Sequence, residues 1–415
     1  MFVGRGLKQN KPVATSSLIF VARRIPPELE RHQVEVIHYK DANDDIETCL
    51  KNILENKKIN KKKILQNKLL QNVSNWNFIK QNKKFLDFYE EYEKNTDDIL
   101  IYYDHAMAEY NFKSRFYFDI GFVLDKKYIK IKNNNDYELL NFKNFTGYSK
   151  FNPSEFYPKD KNLIKLTQNS QGYAVLDKKY KILWSVKNPD IFHFTDHQII
   201  FNMGKSSIIC SDNKKEILYL LSILNFPATK LLLELNLKNE NEKEYLIPVK
   251  AIKEFVRVPK IIENNQFIKD EIIKRTEEML KLEDIKLSDL VDFSKVMMQK
   301  FDSLLLDNGY LILEKNNKKT RLKVNASQEI VEQAAKEAYK NKRPKLLDEK
   351  DQIDLSELKD LAIIDFTKQK ELKDYIDDLI FALYFNVPIK EVGLNKTDKI
   401  RKMCEESKFY SIINI

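Results

Sequence analysis

The sequence predicts an α+β protein, and three features of its texture support that fold class. Short runs rich in β-branched and aromatic residues recur from about 98 to 262, separated by Asn, Gly, Pro and Asp, as strands and turns are. From about 266 onward, apolar residues recur at helical spacing. Only 8 glycines and 11 prolines occur in 415 residues, which favours regular elements over flexible linkers.

The first part of the chain predicts two strands and a helix. VATSSLIFVA at 13–22 is an apolar run of the kind that is buried on both faces of a sheet. VEVIHYKD at 34–41 alternates as a strand does, and 41–56 combines acidic caps with helical spacing. The stretch 57–84 is dense in Lys, Asn and Gln, and helical spacing resumes after it.

The middle of the chain predicts a series of short strands, namely ILIYY, RFYFDIGFVL, KYIKI, GYAVL, YKILWSV, HQIIF and SSIIC. One helix, 214–237, interrupts them, and Pro227 is expected to kink or break it. Beyond 266 the pattern predicts amphipathic helices, including LSDLVDFSKVMMQKFDSLLL, and one hairpin formed by YLILEK and KKTRLKV. Helices are also expected at 326–342, 370–393 and 397–414.

Composition narrows the function classes. A net charge of +9 suits a polyanionic partner. Cys49, Cys210 and Cys404 lack metal-ligand spacing, which argues against structural zinc and fits a reducing compartment. No apolar run reaches the roughly 18 residues that span a membrane, and no signal peptide is evident. We therefore expect a cytoplasmic protein without a membrane partner.

Two stretches imitate the motifs of adenine-specific DNA methyltransferases. Phe2-Val3-Gly4-Arg5-Gly6 has the letters of a loop that binds S-adenosylmethionine, but no strand precedes it. Such enzymes also need an Asn-Pro-Pro-Tyr type loop to hold the flipped base. Asn152-Pro153 and Asn188-Pro189 both lack the second proline, so turn chemistry is the better interpretation. We predict no catalytic and no cofactor-binding residue in this chain.

Nuclease and metal motifs are equally weak. Asp348 or Asp354 with Glu357-Leu358-Lys359 matches the Asp…Glu-x-Lys pattern of magnesium-dependent nucleases, but a solvated helix face explains it better. His193 and His197 are four residues apart, as metal ligands on one helix would be. The surrounding sequence instead indicates two strands about a Thr-Asp turn, so we predict no metal site.

Duplex DNA is the partner that the sequence favours. Reading DNA requires basic groups for phosphates and polar or aromatic groups for base edges. The region 173–260 interleaves these types, and the candidate DNA-binding residues are Tyr173, Lys178, Lys179, Trp184, Lys187, His193, His197, Lys205, Lys230, Lys250, Lys253, Arg257 and Lys260. A second basic cluster, from Lys57 to Lys68, is expected to follow the DNA backbone.

The block from about 191 to 261 resembles the target-recognition domain of type IIG restriction–modification enzymes, which join a nuclease, an adenine methyltransferase and a DNA-reading domain. The resemblance is carried by a YLL-x-x-LN helix, Tyr219 to Asn225, and by a later segment running from Ile252 to Val258-Pro259. The parts 287–304 and 379–394 are similar to the C-terminal part of these enzymes.

The resemblance implies four regions. Residues 1–45 would end a methyltransferase sheet, 46–105 would be a basic helical linker, 106–265 the target-recognition domain, and 266–415 a mostly helical region. The full-length enzyme would use S-adenosylmethionine and magnesium, whereas this chain would be its inactive DNA-recognition portion. An upstream methyltransferase and nuclease polypeptide is expected to dock at residues 13–22.

Two alternatives stay open. One alternative to the recognition portion is a standalone specificity subunit that docks on a separate methyltransferase, and the other is an active adenine methyltransferase with a diverged catalytic loop. In the first case the helical part around 266–302 would supply docking faces, through Ile272, Ile273, Met279, Leu280, Leu290, Phe293, Met297 and Phe301.

Overall fold

The computed structural model describes residues 32–39, 44–65, 83–108, 116–131, 135–168, 170–187, 189, 191–237, 244–283, 285–297, 300–307, 310–324, 353–360, 362–363 and 366–413. They fall into two compact units, Met1–Gln81 and Asn82–Ile415. Small sheets and helices alternate, so the predicted α+β class is confirmed. The expected strand at 13–22 and the expected helix at 326–342 lie outside the described residues.

The first unit contains a hairpin with a helix in its connection: β1 (Gln33–Tyr39), α1 (Ile46–Leu54) and β2 (Ile59–Leu65). The strands are antiparallel and pair from Gln33 with Leu65 to Tyr39 with Ile59. Asp45 caps α1 by accepting the backbone N–H of Thr48. The predicted linker is thus not helical throughout, because the Lys61–Lys63 segment is held as a strand by its pairing with β1.

The second unit begins with helices α2 (Lys83–Lys94) and α3 (Ile99–Ala108), with strand β3 (Thr96–Asp98) between them. The sequence predicted a strand at ILIYY, and that prediction is wrong. Ile99, Tyr102 and Tyr103 are buried at the i, i+3, i+4 spacing of one helix face. A run of apolar residues this short does not by itself distinguish a strand from a buried helix.

The β-rich region follows, and its strands are β4 (Tyr117–Asp119), β5 (Phe122–Leu124), β6 (Tyr137–Leu139), β7 (Phe145–Thr146), β8 (Lys150–Phe151), β9 (Phe156–Tyr157), β10 (Ile164–Leu166), β11 (Tyr180–Ser185), β12 (His193–Thr195), β13 (Ile199–Ile200) and β14 (Ser206–Ser211). The predicted strand GYAVL is instead a short helix, α4 (Ala174–Asp177). The main sheet has the order β12-β11-β14-β4, with every pair antiparallel.

Both faces of this sheet are covered. Ile182, Trp184 and Ile209 belong to a large core shared with the helices, whereas Leu183 and Ile208 belong to a second core among the smaller strands. Because residues alternate between faces, the strand interior has no exposed positions for a ligand. Binding residues must therefore lie at the ends of these strands and in the loops.

A bent helix pair packs on the sheet: α5 (Lys214–Asn225) and α6 (Pro227–Leu237), which meet at 61°. The predicted break at Pro227 is confirmed, and the proline occupies the first position of α6, where a missing N–H costs nothing. No single described helix is long and apolar enough to cross a membrane; this bent pair reaches the threshold only when its two helices are combined.

The remaining elements are helices α7 (Val249–Phe255), α8 (Gln266–Lys281), α9 (Leu287–Leu290), α10 (Leu355–Lys359), α11 (Phe366–Phe385), α12 (Thr397–Glu405) and α13 (Tyr410–Ile413), and strands β15 (Arg257–Pro259), β16 (Ile285–Lys286), β17 (Lys300–Phe301), β18 (Ser303–Asp307), β19 (Tyr310–Lys315), β20 (Lys318–Lys323), β21 (Ile353–Asp354) and β22 (Ala362–Ile363). Helix α8 packs against α5 and α11, so Ile272, Ile273, Met279 and Leu280 contact internal partners.

The helix predicted over LSDLVDFSKVMMQKFDSLLL is wrong apart from the single turn α9. Its second half forms β17 and β18, and β18 pairs with β19 of the confirmed hairpin. A separate small core drives this change, because Phe301 and Leu304 are buried there against Leu311 and Leu313. Helical periodicity in the sequence cannot anticipate a partner strand that comes later in the chain.

Candidate nucleic-acid interface

A buried lysine joins two loops of the β-rich region. Lys181 lies on β11 and is only 1% exposed. Its ammonium donates to the backbone carbonyls of Lys178, Lys179 and His197, the last two at 3.4 and 3.0 Å. Burial lowers the pKa of the Lys181 ammonium. The side chain thereby ties the loop before β11 to the loop between β12 and β13.

Five polar side chains converge around this tie, and we name them the basic corner: Lys159, Lys178, Lys179, His197 and Gln198. Lys159 donates to the side chain of Gln198, which is next to His197 in sequence. Lys159, Lys179 and Gln198 are exposed, and the other two are half-buried. Three separate stretches of chain therefore contribute to one surface.

Each lysine of the basic corner lies over the ring of a tyrosine. The Nζ atoms of Lys159, Lys178 and Lys179 are 5.4, 5.5 and 5.2 Å from the ring centroids of Tyr137, Tyr117 and Tyr180, respectively. Cation–π contacts of this kind position an ammonium group while leaving its N–H donors available. Of these contacts, the one between Lys179 and Tyr180 lies wholly within the region 173–260.

Acidic partners make the corner mixed rather than purely positive. Lys178 binds Asp212 at 2.5 Å, and His197 binds Glu138 at 2.6 Å. The hydrogen bond to Glu138 raises the pKa of His197. The corner consequently offers both donors and acceptors, which base edges in a DNA groove also present.

His193 lies in a different environment from His197. Its Nδ1 donates to the carbonyl of Gly147 at 3.1 Å, and its ring stacks on Phe145 with centroids 4.3 Å apart. Burial lowers the pKa of His193 to about 4, so the ring is neutral at pH 7. The two histidine rings have different hydrogen-bond partners, Gly147 and Glu138. The described residues contain no cluster of three or more metal-ligating side chains.

The remaining candidates at the strand ends are separated from the basic corner. Lys187 and Lys205 lie together where β11 ends and β14 begins, because the backbone N–H of Val186 donates to the carbonyl of Lys205. Lys187 pairs with Glu244 at 2.7 Å, and Lys205 is exposed. The six residues of β11 place this pair about 20 Å from Lys179.

Two predicted residues serve the fold instead of an open surface. Trp184 is completely buried, and its indole N–H donates to the carbonyl of Ile247 at 2.8 Å. The hydroxyl of Tyr173 donates to the carbonyl of Ile164 at 2.9 Å, and its ring carries Lys161 at 5.4 Å. We therefore assign Trp184 to the core, while Tyr173 supports a lysine.

The basic residues after α6 form ion pairs along one edge of the helical part. Arg257 binds Asp98 and Thr96 on the neighbouring β3, and Lys260 lies 3.4 Å from Asp97. Lys250 pairs with Glu254 on the same helix, and Lys253 lies 5.2 Å above the ring of Phe118. Lys230 is half-buried on α6. These residues are not gathered into the basic corner.

The asparagine of the YLL-x-x-LN helix has a structural task. The Asn225 side chain accepts the backbone N–H of Phe192 at 3.1 Å and donates to the carbonyl of Phe192 at 2.9 Å. It also donates to the carbonyl of Leu221 at 3.1 Å. The motif thus fixes the segment that enters β12, and with it the position of His193.

Glu283, after α8, was missed by the sequence reasoning although it is completely buried. Its carboxylate accepts the backbone N–H groups of Tyr148, Ser149 and Lys150 at 2.5, 2.6 and 3.0 Å. Gln369 on α11 donates to it at 2.6 Å. The carboxylate therefore joins the β7–β8 loop to the helical layer.

The sequence prediction missed Lys159, Lys181 and Gln198, and of these only Lys181 has a sequence signal. Lys181 interrupts an apolar strand, which is a visible sign of a buried charge. Lys159 and Gln198 have no pattern of their own and are brought together only by folding. Of the weak Asp…Glu-x-Lys match, Asp348 lies outside the described residues, and Asp354 caps α10 by accepting the backbone N–H of Ser356.

Comparison with known proteins gives only weak likenesses. No protein-family model and no curated protein matches the chain. Among solved structures, it is similar to the type IIG restriction endonuclease BpuSI, with 13% identity and a TM-score of 0.30 over 59% of this chain and 35% of that one. It is also similar to the S subunit of a type I restriction–modification system from M. genitalium, with 13% identity and a TM-score of 0.23 over 74% of this chain and 95% of that one.

The chain thus spans about a third of the length of BpuSI. Both similar proteins belong to restriction–modification systems. TM-scores of this size do not establish a common fold.

Proposed function

We propose that the chain is a DNA sequence-recognition protein of a restriction–modification system, related to the recognition portion of type IIG enzymes. The basic corner carries this proposal: folding joins three lysines, a histidine and a glutamine from separate segments, with a tyrosine ring beneath each lysine. Lysines supply phosphate contacts, and His197 and Gln198 supply hydrogen bonds to base edges.

Charge over the β-rich region supports the same partner. Residues 116–211 contain fourteen lysines against nine aspartates and glutamates. The strands that hold them are buried on both faces, so the lysine side chains are displayed mainly at loops and strand ends. This distribution suits a polyanion that runs along the surface.

The motif that resembles type IIG enzymes contributes through Asn225, whose amide fixes the entry to β12. In this proposal, S-adenosylmethionine, magnesium and both catalytic activities belong to a separate methyltransferase and nuclease part. The chain then binds duplex DNA weakly by itself, and the separate part adds the remaining contacts.

Fluorescence anisotropy on a random-sequence duplex tests the proposal directly. We expect a non-specific Kd of about 1 to 100 μM at physiological salt, with affinity falling as salt rises. Selection from a randomised duplex pool then shows whether one sequence is preferred.

Lys159→Gln combined with Lys179→Gln removes the two most exposed charges of the basic corner. Each lost phosphate contact lowers the salt slope by about 0.9, so a reduction of about 2 is expected. Lys390→Gln with Lys402→Gln, two exposed lysines near the C-terminus, is the charge-matched control. Equal losses of affinity and salt slope in both double variants would mean that the basic corner contributes only through the net charge of the chain. Absence of DNA binding by the unmodified chain would overturn the proposal.

A further inference from the structure

The hairpin β19–β20 carries a row of cations that neither the sequence prediction nor the basic corner includes. Its register pairs Tyr310 with Lys323, Ile312 with Arg321 and Glu314 with Lys319. Leu311, Leu313 and Leu322 point to the opposite face and are buried in the small C-terminal core. The period of two therefore fixes Lys319, Arg321 and Lys323 on the solvent face.

The strand register keeps these three charges on the solvent face. A slip of one residue would move the leucines into solvent and the three cations into the core, which is strongly unfavourable. Lys319, Arg321 and Lys323 are all exposed. Alternate residues of a strand are about 6.8 Å apart, so the row extends over about 14 Å.

The hairpin contains five basic residues and one acidic residue. Within 310–323 the sole acidic residue is Glu314, which lies 4.0 Å from Lys319. The two residues that close the hairpin, Lys315 and Lys318, are paired directly across the strands. Like charges in that arrangement destabilise a hairpin. A bound polyanion would relieve the repulsion.

The hairpin itself is rigidly built. Asn316 and Asn317 form its two-residue turn with φ angles of 49° and 64°, the left-handed conformations that match the twist of the flanking strands. The backbone N–H of Asn316 donates to Asp302 at 2.7 Å. The cations are therefore presented on a fixed frame.

One arginine is also oriented by an aromatic ring. The guanidinium carbon of Arg321 lies 4.8 Å from the ring centroid of Tyr310, which is 37% exposed. A cation–π contact of this kind positions the guanidinium group, whose planar fork of donors matches the geometry of phosphate oxygens.

Lysines on an edge strand also discourage pairing with another sheet, and β20 is at the edge of the described three-stranded sheet. One outward lysine would serve that purpose. Three aligned cations, one of them an arginine on a tyrosine ring, and two opposed lysines at the tip exceed that need.

We propose that the β19–β20 hairpin binds the phosphate backbone of duplex DNA through Lys319, Arg321 and Lys323. This inference rests on the proposed function, since it takes DNA as the partner. It adds a second contact surface, on the outer face of the hairpin that packs on the small C-terminal core. Over about 14 Å a duplex presents roughly eight phosphate charges, enough for all three cations.

The test uses the full chain with Lys319→Gln, Arg321→Gln and Lys323→Gln combined. Anisotropy titrations with a random-sequence duplex at several salt concentrations give the affinity and its salt slope. We expect the slope to fall by about 2 to 3 and the affinity at about 0.1 M salt to fall roughly 10- to 100-fold. Lys390→Gln, Lys402→Gln and Lys408→Gln, all exposed, form the charge-matched control.

A second variant guards against misfolding. Lys319→Arg with Lys323→Arg keeps the charges on the same face and should retain the slope of the unmodified chain. Urea denaturation of each variant shows whether the small core has survived.

The outcomes separate the two proposals. A reduced slope in the glutamine variant, with control and arginine variants unchanged, supports the hairpin contact. If the salt slope is unchanged in the hairpin glutamine variant while the basic-corner variant loses affinity, the hairpin contact alone is overturned. The role of these cations is then to bind an acidic protein or to protect the sheet edge. An unmodified chain without salt-dependent DNA binding overturns both.

Discussion

His193 and His197 are four positions apart in sequence, yet their rings experience opposite electrostatic influences. His193 is stacked among phenylalanines and donates to Gly147, while His197 faces the carboxylate of Glu138. Burial holds the pKa of His193 at about 4, whereas the Glu138 hydrogen bond raises that of His197. One ring therefore belongs to the packing and the other to the surface that we assign to DNA.

These pKa shifts predict pH effects of opposite sign. Unfolded His193 takes up a proton below about pH 6.5, but the folded chain resists this until about pH 4, so its contribution to stability is present above 6.5 and is lost between those values. The loss is at most about 3 kcal/mol. The contribution of His197 is complete below about pH 6.5 and is lost as pH rises through its elevated folded pKa.

Proton NMR titration of the histidine ring signals measures both values. His193→Gln and His197→Gln assign the two resonances, and urea unfolding at pH 5 and pH 8 measures the stability. A His193 signal that titrates near pH 6.5, or a His197 signal that titrates below it, would contradict the environments described above.

At the scale of elements, the β7–β8 loop depends on a single distant side chain. Glu283 accepts three backbone N–H groups and the Ser149 hydroxyl, and Gln369 contributes a further hydrogen bond. Gly147 has a φ of 67°, and a Cβ atom there would overlap the Glu283 carboxylate. The loop conformation and the carboxylate position therefore require each other.

Gly147→Ala should destabilise the chain more than Gly172→Ala. Both glycines have positive φ, at 67° and 85°, so both substitutions carry the same kind of backbone strain, about 1 kcal/mol. Only Gly147 is close to another group, because nothing lies within 4 Å of a Cβ at Gly172. Displacing Glu283 leaves buried N–H groups unpaired, which adds about 1 to 3 kcal/mol.

Differential scanning calorimetry and urea denaturation compare the two alanine variants. Equal destabilisation would mean that strain alone operates and that the Glu283 contact contributes nothing. His193 accompanies the change, since its Nδ1 partner is the Gly147 carbonyl. Since that hydrogen bond raises the pKa of His193 against the lowering by burial, its loss in Gly147→Ala should lower this pKa further, whereas Gly172→Ala should leave it unchanged.

For the whole molecule, packing in the two cores decides which of the candidate docking residues remain exposed. The large core joins the main sheet to α5, α8 and α11, and this packing covers Ile272, Ile273, Met279 and Leu280, which were considered as docking faces. Phe293 and Phe301 are buried in the small core, whereas Met297 is 98% exposed. Of the residues considered as docking faces, Met297 is the one that folding leaves largely exposed.

We predict that the chain does not bind S-adenosylmethionine. Asn152 directly follows β8, and its backbone N–H donates to the carbonyl of Asn144. Asn188 is followed by Pro189 and Asp190. Neither Asn-Pro pair offers the second proline and aromatic ring that would hold a flipped adenine.

Calorimetric titration with S-adenosylmethionine checks this prediction, and duplex DNA at low salt serves as the positive control on the same sample. Saturable heat in the micromolar range would contradict the prediction and favour an active methyltransferase with a diverged catalytic loop.

Local sequence patterns were sufficient where an element's neighbours are near in the chain. The alternation in VEVIHYKD, the break at Pro227 and the hairpin at 310–323 were all confirmed. The helix α3 and the strands β17 and β18 were not, because burial against distant residues decided them. Intrinsic preference is weak compared with such packing.

The same division applies to the candidate site. Composition alone pointed to basic and aromatic residues in the β-rich region, and it pointed to a polyanionic partner. It did not show that Trp184 is buried, that Arg257 and Lys260 are held by acidic groups on β3, or that Lys159 reaches Gln198. These facts depend on contacts between residues 38 or more positions apart.

The sequence by itself determined the α+β class, the bent helix at Pro227, the excess of lysine and the resemblance in the YLL-x-x-LN helix, since each is a local property of the chain. Only the tertiary structure decided which lysines act together. The buried ammonium of Lys181 and the buried carboxylate of Glu283 each need several hydrogen-bond partners, and folding supplies them from distant segments. Satisfying the buried charge of Lys181 joins two loops of the proposed DNA surface, and satisfying that of Glu283 joins the β7–β8 loop to the helical layer.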